Sequence, residues 1–510
     1  MNYTSELSRI NELKNMLGLH RFGKLFKTKQ GFYFYDTGTS KVIKMDEKAY
    51  LLFSKIIDDE NVIDFISMNE TERDSLVELL DAIEKNSLLR AFELNKLGNI
   101  LHDERLEEQL NGNVNQIILE VTGKCNLRCR YCIYNESYDE NRGFNDKVMN
   151  AETAYKAVDY LNEHGRNEVA VTFYGGEPLL QYELVKNVIL YSQERIKDKK
   201  LSYSLTTNLT LMTKEKADFL ASIEGMSIVC SLDGPEDVHN AYRVFQGGTG
   251  SYDKAIQGLK ILLESFGNKA ASSISINAVF APPYTYEKLI EINSFFTECE
   301  WIPDNLRIEI TYAAEGSVDD KECIRALKKD DSYLTEQNTF NPLYLWSKNE
   351  FMKGQTGGIT QSGISNMLIR IHKRNIYSEP VEIYPFNACC VPGVRRIYVN
   401  TDGEFFVCER IGNSPSIGNV TQGIDVEAVR RHYVKDYSDA SSENCKNCWA
   451  IRLCDRCYVG NYSNTGYKND NLNKSCDEMR DYVERELFLY HEILERDPQK
   501  LAYLNEIIVS

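Results

Sequence analysis

The sequence predicts an α/β protein, a partial (β/α)6 barrel set between a winged-helix-like N-terminal domain and a loop-rich C-terminal domain. Three observations lead there. Short β-rich runs alternate with amphipathic helical stretches six times between residues 116 and 312. Before them, three small strands and then helical periodicity fill a segment without cysteine. After them, eight of the chain's 14 cysteines crowd into 389–476, where patterning is weak.

In residues 1–111, a helical start leads to strands at 24–27, 31–35 and 41–44. The turn Asp36-Thr37-Gly38 makes the last two a hairpin. Apolar residues at helical spacing follow in 47–57, 62–68 and 70–86. Residues 112–315 carry strands at 116–122, 168–174, 201–207, 226–231, 272–280 and 305–312. Helices are expected at 151–164, 182–197, 213–221, 252–266 and 286–296 between them. Successive β–α units joined by right-handed crossovers give a parallel sheet. No sequence remains for two more units, so the barrel should stay open, with its chemistry at the C-terminal strand ends. Residues 316–385 read as a connector with one helix near 365–373. Residues 386–510 hold a hairpin, 396–400 with 404–407, and an amphipathic helix at 477–495.

Composition narrows the function. A net charge of −17 opposes a nucleic-acid partner, because phosphate binding needs a basic face. No apolar run reaches membrane-spanning length and the first residues mix charge throughout, so the expected compartment is the cytoplasm. Thiols there are reduced, and clustered thiols point to metal rather than disulfides. Cys230, Cys299 and Cys323 lie apart and read as small hydrophobes without a role.

Cys125, Cys129 and Cys132 stand at CxxxCxxC spacing directly after the strand ending at Thr122. Three thiolates on one loop can hold three irons of a cubane cluster and leave the fourth without a protein ligand. A structural zinc site would want four closed ligands, and no further His or Cys lies nearby in sequence. With Tyr131 before the last cysteine and Gly175-Gly176-Glu177-Pro178 at the next strand end, the chain resembles the radical SAM superfamily. The resemblance implies that S-adenosylmethionine chelates the open iron and is cleaved to a 5′-deoxyadenosyl radical. It implies cofactor-binding roles for Tyr131, Gly175, Gly176, Glu177, Asn208, Ser231 and Arg243. Asn208 reads equally well as a helix cap or turn residue, His239 as an ordinary helix or loop residue, and Asp233, before Gly-Pro, as turn chemistry without an assigned role.

In the C-terminal region Cys390, Cys408, Cys445, Cys448, Cys454, Cys457 and Cys476 resemble the SPASM domain, except that x2 stands where x3 is usual before Cys457. The resemblance implies two auxiliary 4Fe–4S clusters, three in all with the first. One would be held by Cys445, Cys448, Cys454 and Cys476, the other by Cys390, Cys408 and Cys457. Cys389 or a substrate thiolate is open as the fourth ligand of the second. CxxC pairs taken alone also suit zinc. Glu409, after Cys408, matches the position of a general base in anaerobic sulfatase-maturating enzymes, or it pairs with Arg410 on the surface.

The strand and helix order of the N-terminal domain resembles the RiPP recognition element, whose sheet edge takes up the leader of a precursor peptide. Residues 24–35 would supply that edge. A structural cap or a DNA-binding winged helix are the other readings, the latter opposed by the acidic charge. The combination resembles peptide maturases that install thioether cross-links, with a precursor peptide and a flavodoxin- or ferredoxin-type reductant as partners. A sulfatase-type maturase forming formylglycine, or a carbon–carbon cross-linker, are the alternatives. A non-catalytic metal scaffold would have no need of the glycine segment.

Overall fold

The structure is a computed structural model that describes residues 3–17, 19–58, 68–98, 101–102, 104–135, 138, 142–314, 316–318, 342–355, 358–386, 389–410, 413–457, 461–463, 466–467 and 472–507. Cys323, and the helix expected at 62–68 apart from Met68, lie outside the described residues.

Helix α1 (Tyr3–Leu17) precedes a three-stranded antiparallel sheet of β1 (Gly23–Lys27), β2 (Phe32–Asp36) and β3 (Val42–Met45), in the order β1-β2-β3. Alternation sends its side chains to two different cores. Phe34 packs with Phe53 of α2 (Glu47–Asp58) and Leu76 and Leu80 of α3 (Glu70–Lys85). Asn69 and Glu72 form a capping box at the start of α3. Phe26, Tyr33 and Tyr35 face the other way, onto Trp449, Leu453, Val483 and Leu487 of the C-terminal region. β2 pairs on both sides, so of the expected edge at 24–35 only β1 is an edge strand; the second edge is β3.

After α4 (Leu106–Gly112), six parallel strands follow in spatial order: β4 (Val114–Thr122), β5 (Gly165–Gly175), β6 (Lys200–Thr207), β7 (Met226–Ser231), β8 (Ile274–Phe280) and β9 (Arg307–Tyr312). The connecting helices are α5 (Ala151–His164), α6 (Tyr182–Arg195), α7 (Lys214–Ser222), α8 (Glu236–Tyr242), α9 (Tyr252–Phe266), the single turn α10 (Ala270–Ser273) and α11 (Tyr286–Glu298). Asn150, Thr213 and Thr285 cap α5, α7 and α11 through their side chains. Ile117, Leu119, Val171, Phe173, Leu205, Ile228 and Ile276 point into the helical layer and are fully buried. The alternate positions face the opposite side, where Tyr174, Thr206 and Ser231 meet the cysteine loop. Cys230 is a core residue, as expected.

Two findings differ from the sequence reading. The connector contains two packed helices, α12 (Pro342–Lys353) and α13 (Gly358–His372). Trp346 and Ile359 join the core against β9 and α11, while Ile364 and Leu368 meet α16 (Leu472–Arg496). The C-terminal hairpin, β10 (Ile397–Val399) with β11 (Glu404–Phe406), does not stand apart either. β10 pairs in parallel with β4, and β12 (Gly418–Asn419) and β13 (Gly423–Ile424) extend the sheet to ten strands, open at β13 and β9. The short helix α14 (Val426–Val429), a π-helical stretch over Arg430–Lys435 and α15 (Asp436–Cys445) lead into the second cysteine region. Among the described residues no helix is long and apolar enough to cross a membrane.

Candidate active site

The C-terminal end of β4 turns into the loop that carries Cys125, Cys129 and Cys132. Two sets of main-chain hydrogen bonds fix this loop. On one side the N–H groups of Gly176 and Glu177 donate to the carbonyls of Thr122 and Lys124, each at 2.9 Å. A Cβ at Gly175 would collide with the Thr122 carbonyl, and one at Gly176 with the Lys124 carbonyl. Gly175 also has φ +132°, a conformation that glycine alone adopts readily. The close approach these glycines permit is made to the cysteine loop itself. On the other side Arg128 N donates to Val244 O at 2.8 Å and Arg130 N to Tyr242 O at 3.0 Å, so residues 242–244 run along the loop like an added strand.

All three thiols line one cleft together with Gly175, Gly176, Glu177, Thr206, Asn208 and Ser231. Residues from four strand ends thus meet where parallel sheets place their chemistry. Burial pushes the Cys125 and Cys129 thiols up to about 12 and raises Cys132 as well. Deprotonation there needs a cation, which is what a thiolate-bound metal supplies. Among the described residues, no three His, Cys, Asp or Glu side chains converge as ligands of a single ion would. The three thiols instead surround a volume, which suits a cage whose irons each take one sulfur.

The other expected cofactor residues divide into two groups. Glu177 lines the cleft, but its carboxylate is 1% exposed and already engaged: it accepts from Leu179 N at 3.0 Å, Thr207 Oγ1 at 2.8 Å and Asn208 N at 2.7 Å. It braces the end of β6 against the end of β5. Asn208 donates to Asn126 Oδ1 at 2.9 Å and accepts from Thr210, and its Nδ2 stands 3.8 Å from the Cys125 sulfur. Tyr131 and Arg243 are set apart from the cleft lining. Both turn to Asp233, which the sequence reading left as a turn residue. His239 is buried, bonded to Ser251 Oγ at 3.0 Å, and lowered by burial to about 4, so it is neutral at neutral pH.

The C-terminal cysteines form two groups. Cys445, Cys448, Cys454 and Cys476 line one enclosed pocket with Arg456, Met479 and Arg480. Arg456 Nη1 donates to the Cys476 sulfur at 3.0 Å, and Arg480 Nη1 stands 3.9 Å from that of Cys448. These cations favour thiolate. Cys390 and Cys408 are both within the field of Arg396, and Arg395 Nη1 reaches the Cys390 sulfur at 3.5 Å. Cys389 is buried within electrostatic reach of Cys457 and Cys390. Neighbouring residues therefore do bring both thiols to one region.

Glu409 pairs with Arg410 only loosely and with Arg396 closely. Its side chain is mostly buried and takes Arg396 Nη1 at 2.9 and 3.0 Å, while Arg410 is 3.9 Å away and exposed. The Cys408 thiol donates to Glu409 Oε2 at 3.3 Å. Burial acts to raise the Glu409 carboxyl, but Arg396, a main-chain hydrogen bond and the Cys408 thiol together outweigh it and hold the group below the usual carboxylate range. A carboxylate so held is a weak base. Sequence reasoning also missed the buried ion pair of Glu120 with Arg142, to which Tyr398 of β10 is bonded.

Residues 119–296 match the model of the radical SAM superfamily. TigE, a radical SAM cyclopropyl synthase of Paramaledivibacter caminithermalis, is 23% identical over 458 residues, 82% of this chain and 88% of that one. A cysteine-type anaerobic sulfatase-maturating enzyme of Clostridium perfringens is 29% identical over 351 residues, 66% of this chain and 86% of the relative. The chain spans only 48% and 60% of the length of the first two curated relatives it matches. A solved structure of anSMEcpe with bound AdoMet superposes with a TM-score of 0.52 at 19% identity, covering 77% of this chain and all of that one. The fold is thus like that of anSMEcpe. The chain carries a radical SAM domain, and that family implies a 4Fe–4S cluster and S-adenosylmethionine.

Proposed function

We propose that Cys125, Cys129 and Cys132 hold the cluster of a radical enzyme that modifies a ribosomally made precursor peptide, forming thioether links from cysteine sulfur to a residue carbon. The observation that carries this reading is the convergence of three thiols, two glycines and four further residues at or just past strand ends (Glu177, Thr206, Asn208 and Ser231) on one cleft. When bound there, the cluster and S-adenosylmethionine supply a 5′-deoxyadenosyl radical that abstracts hydrogen. The chain's own residues supply the setting. Gly175 and Gly176 let the β5 end close on the cysteine loop, Glu177 fixes β6 to β5, and Asn208 and Ser231 offer polar groups to the nucleotide and amino acid. Cys445, Cys448, Cys454 and Cys476 would hold a second cluster, with Arg456 and Arg480 balancing its charge. Cys390, Cys408 and Cys457, with Cys389 or a substrate sulfur, would hold a third. A precursor leader would add a strand to the open edge of β1 or β3, and a flavodoxin- or ferredoxin-type protein would deliver electrons.

Anaerobically reconstituted protein is expected to bind about twelve irons and to cleave S-adenosylmethionine reductively. Unimpaired cleavage after combined Cys125→Ala, Cys129→Ala and Cys132→Ala replacement would exclude the reading. The similarity to the sulfatase-maturating enzyme favours a second outcome, oxidation of a cysteine or serine to formylglycine, and that to TigE favours a carbon–carbon product. Mass spectrometry distinguishes them on cysteine-containing peptides: a thioether loses two hydrogens and blocks the thiol, whereas formylglycine loses the sulfur.

A further inference from the structure

Asp233 lies two residues past the end of β7, before a Gly-Pro turn, yet its side chain serves more than the turn. The carboxylate is 1% exposed and joins three separate parts of the chain. Oδ2 accepts from Tyr131 Oη in the cysteine loop, and Oδ1 accepts from Val279 N of β8 at 3.0 Å. Oδ1 also lies 3.0 Å from Arg243 Nε, an ion pair whose N–H is poorly aligned for a hydrogen bond. Arg243 in turn sits with its guanidinium 5.4 Å from the centre of the Tyr131 ring, and its field reaches Cys129. The neighbouring Lys288 feels Asp233 as well, but its ammonium is committed to the carbonyls of Ala281 and Pro282, at 2.8 and 3.3 Å. The fixed charges beside Cys129 are therefore one buried cation and the anion that balances it.

We propose that Asp233 is a positioning residue that anchors Tyr131 and neutralises Arg243, and thereby keeps the reduction potential of the Cys125–Cys129–Cys132 cluster low. This rests on the cluster assignment proposed above. Reduction adds one negative charge to a cluster, and nearby positive charge stabilises that state; net charge, hydrogen bonding and burial are the means by which a protein sets such potentials. In a buried site the Arg243 charge is poorly screened. With Asp233 present the pair is neutral and gives the reduced state little help. A reductant strong enough to cleave a sulfonium needs a low potential, so the pairing serves the chemistry. A carboxylate used only for the turn would have no bearing on potential.

The test is an anaerobic redox titration without S-adenosylmethionine, following by electron paramagnetic resonance the reduced-cluster signal that the Cys125→Ala variant lacks. Asp233→Asn, which keeps one accepting oxygen for Val279 and turns an amide donor toward the Tyr131 hydroxyl, is expected to shift the midpoint to more positive values. Arg243→Gln is expected to shift it to more negative values, and the double variant to return it near the parent. An unchanged or negative shift in Asp233→Asn with the cluster loaded overturns the inference. If Asp233→Asn fails to load iron, Arg243→Gln decides, and no shift there overturns it equally. If the parent protein forms no cluster that depends on Cys125, the assignment itself fails, a result distinct from a cluster with an unresponsive potential.

Discussion

At the scale of single residues, Glu177 and Gly176 show how little freedom the cleft allows. Glu177→Gln keeps the volume but swaps one accepting oxygen for an amide donor among three donors. It should lower stability by about 1–3 kcal/mol, the range for a buried group left unsatisfied, read as a shift in the denaturant midpoint. Gly176→Ala should instead displace the cysteine loop, seen as loss of roughly a third of the bound iron if three cubanes load independently. The cysteines and glycines were legible because their chemistry requires fixed spacing within one loop. Asp233 was not, since its partners Tyr131 and Val279 lie 102 and 46 residues away and only the fold brings them to it. The nearer partner of Glu409 was hidden for the same reason: Arg410 is adjacent in sequence, whereas Arg396 is adjacent across the hairpin.

At the scale of elements, the six strands of the parallel sheet were legible because each is a short apolar run bounded by turns, whereas α12 was not, and of α13 only the C-terminal half, near 365–373, was expected. Helix α13 is buried against several neighbours, so it lacks a single apolar stripe to announce it. Helix α16 is long and amphipathic, and was expected, but its role as the floor beneath the N-terminal sheet was not. There His491 is packed against Phe26 and Tyr33, with Nδ1 bonded to Leu487 O at 2.7 Å. Burial lowers it to about 4. Between pH 6.5 and 4 the unfolded chain then binds a proton that the folded one refuses, so stability falls as the pH falls. The loss from this residue should approach roughly 3 kcal/mol by pH 4. His491→Phe should flatten that limb of a stability–pH curve measured by chemical denaturation.

At the scale of the whole molecule, the N-terminal sheet is fastened to the peptide between Cys448 and Cys454. Tyr35 meets Trp449 edge-on, Thr37 Oγ1 donates to Trp449 O at 2.9 Å, and Arg452 Nε donates to Thr37 O at 2.9 Å. Trp449→Ala should therefore cost about 3–5 kcal/mol, as large core truncations do, and loosen both ends together. Limited proteolysis should then release the first hundred residues and expose the second cysteine group to alkylation at the same time. This contact between chain start and chain end could not be read from the sequence, since nothing local encodes it. The pairing of β10 with β4 has a further consequence, for biosynthesis. While the ribosome is making residues 176–396, β4 has β5 on one side only, and its other edge is a row of unmet amides flanked by Ile117 and Leu119. Nascent chains halted before residue 397 should be prone to self-association and chaperone-dependent, whereas those that extend past the hairpin should be released in soluble form.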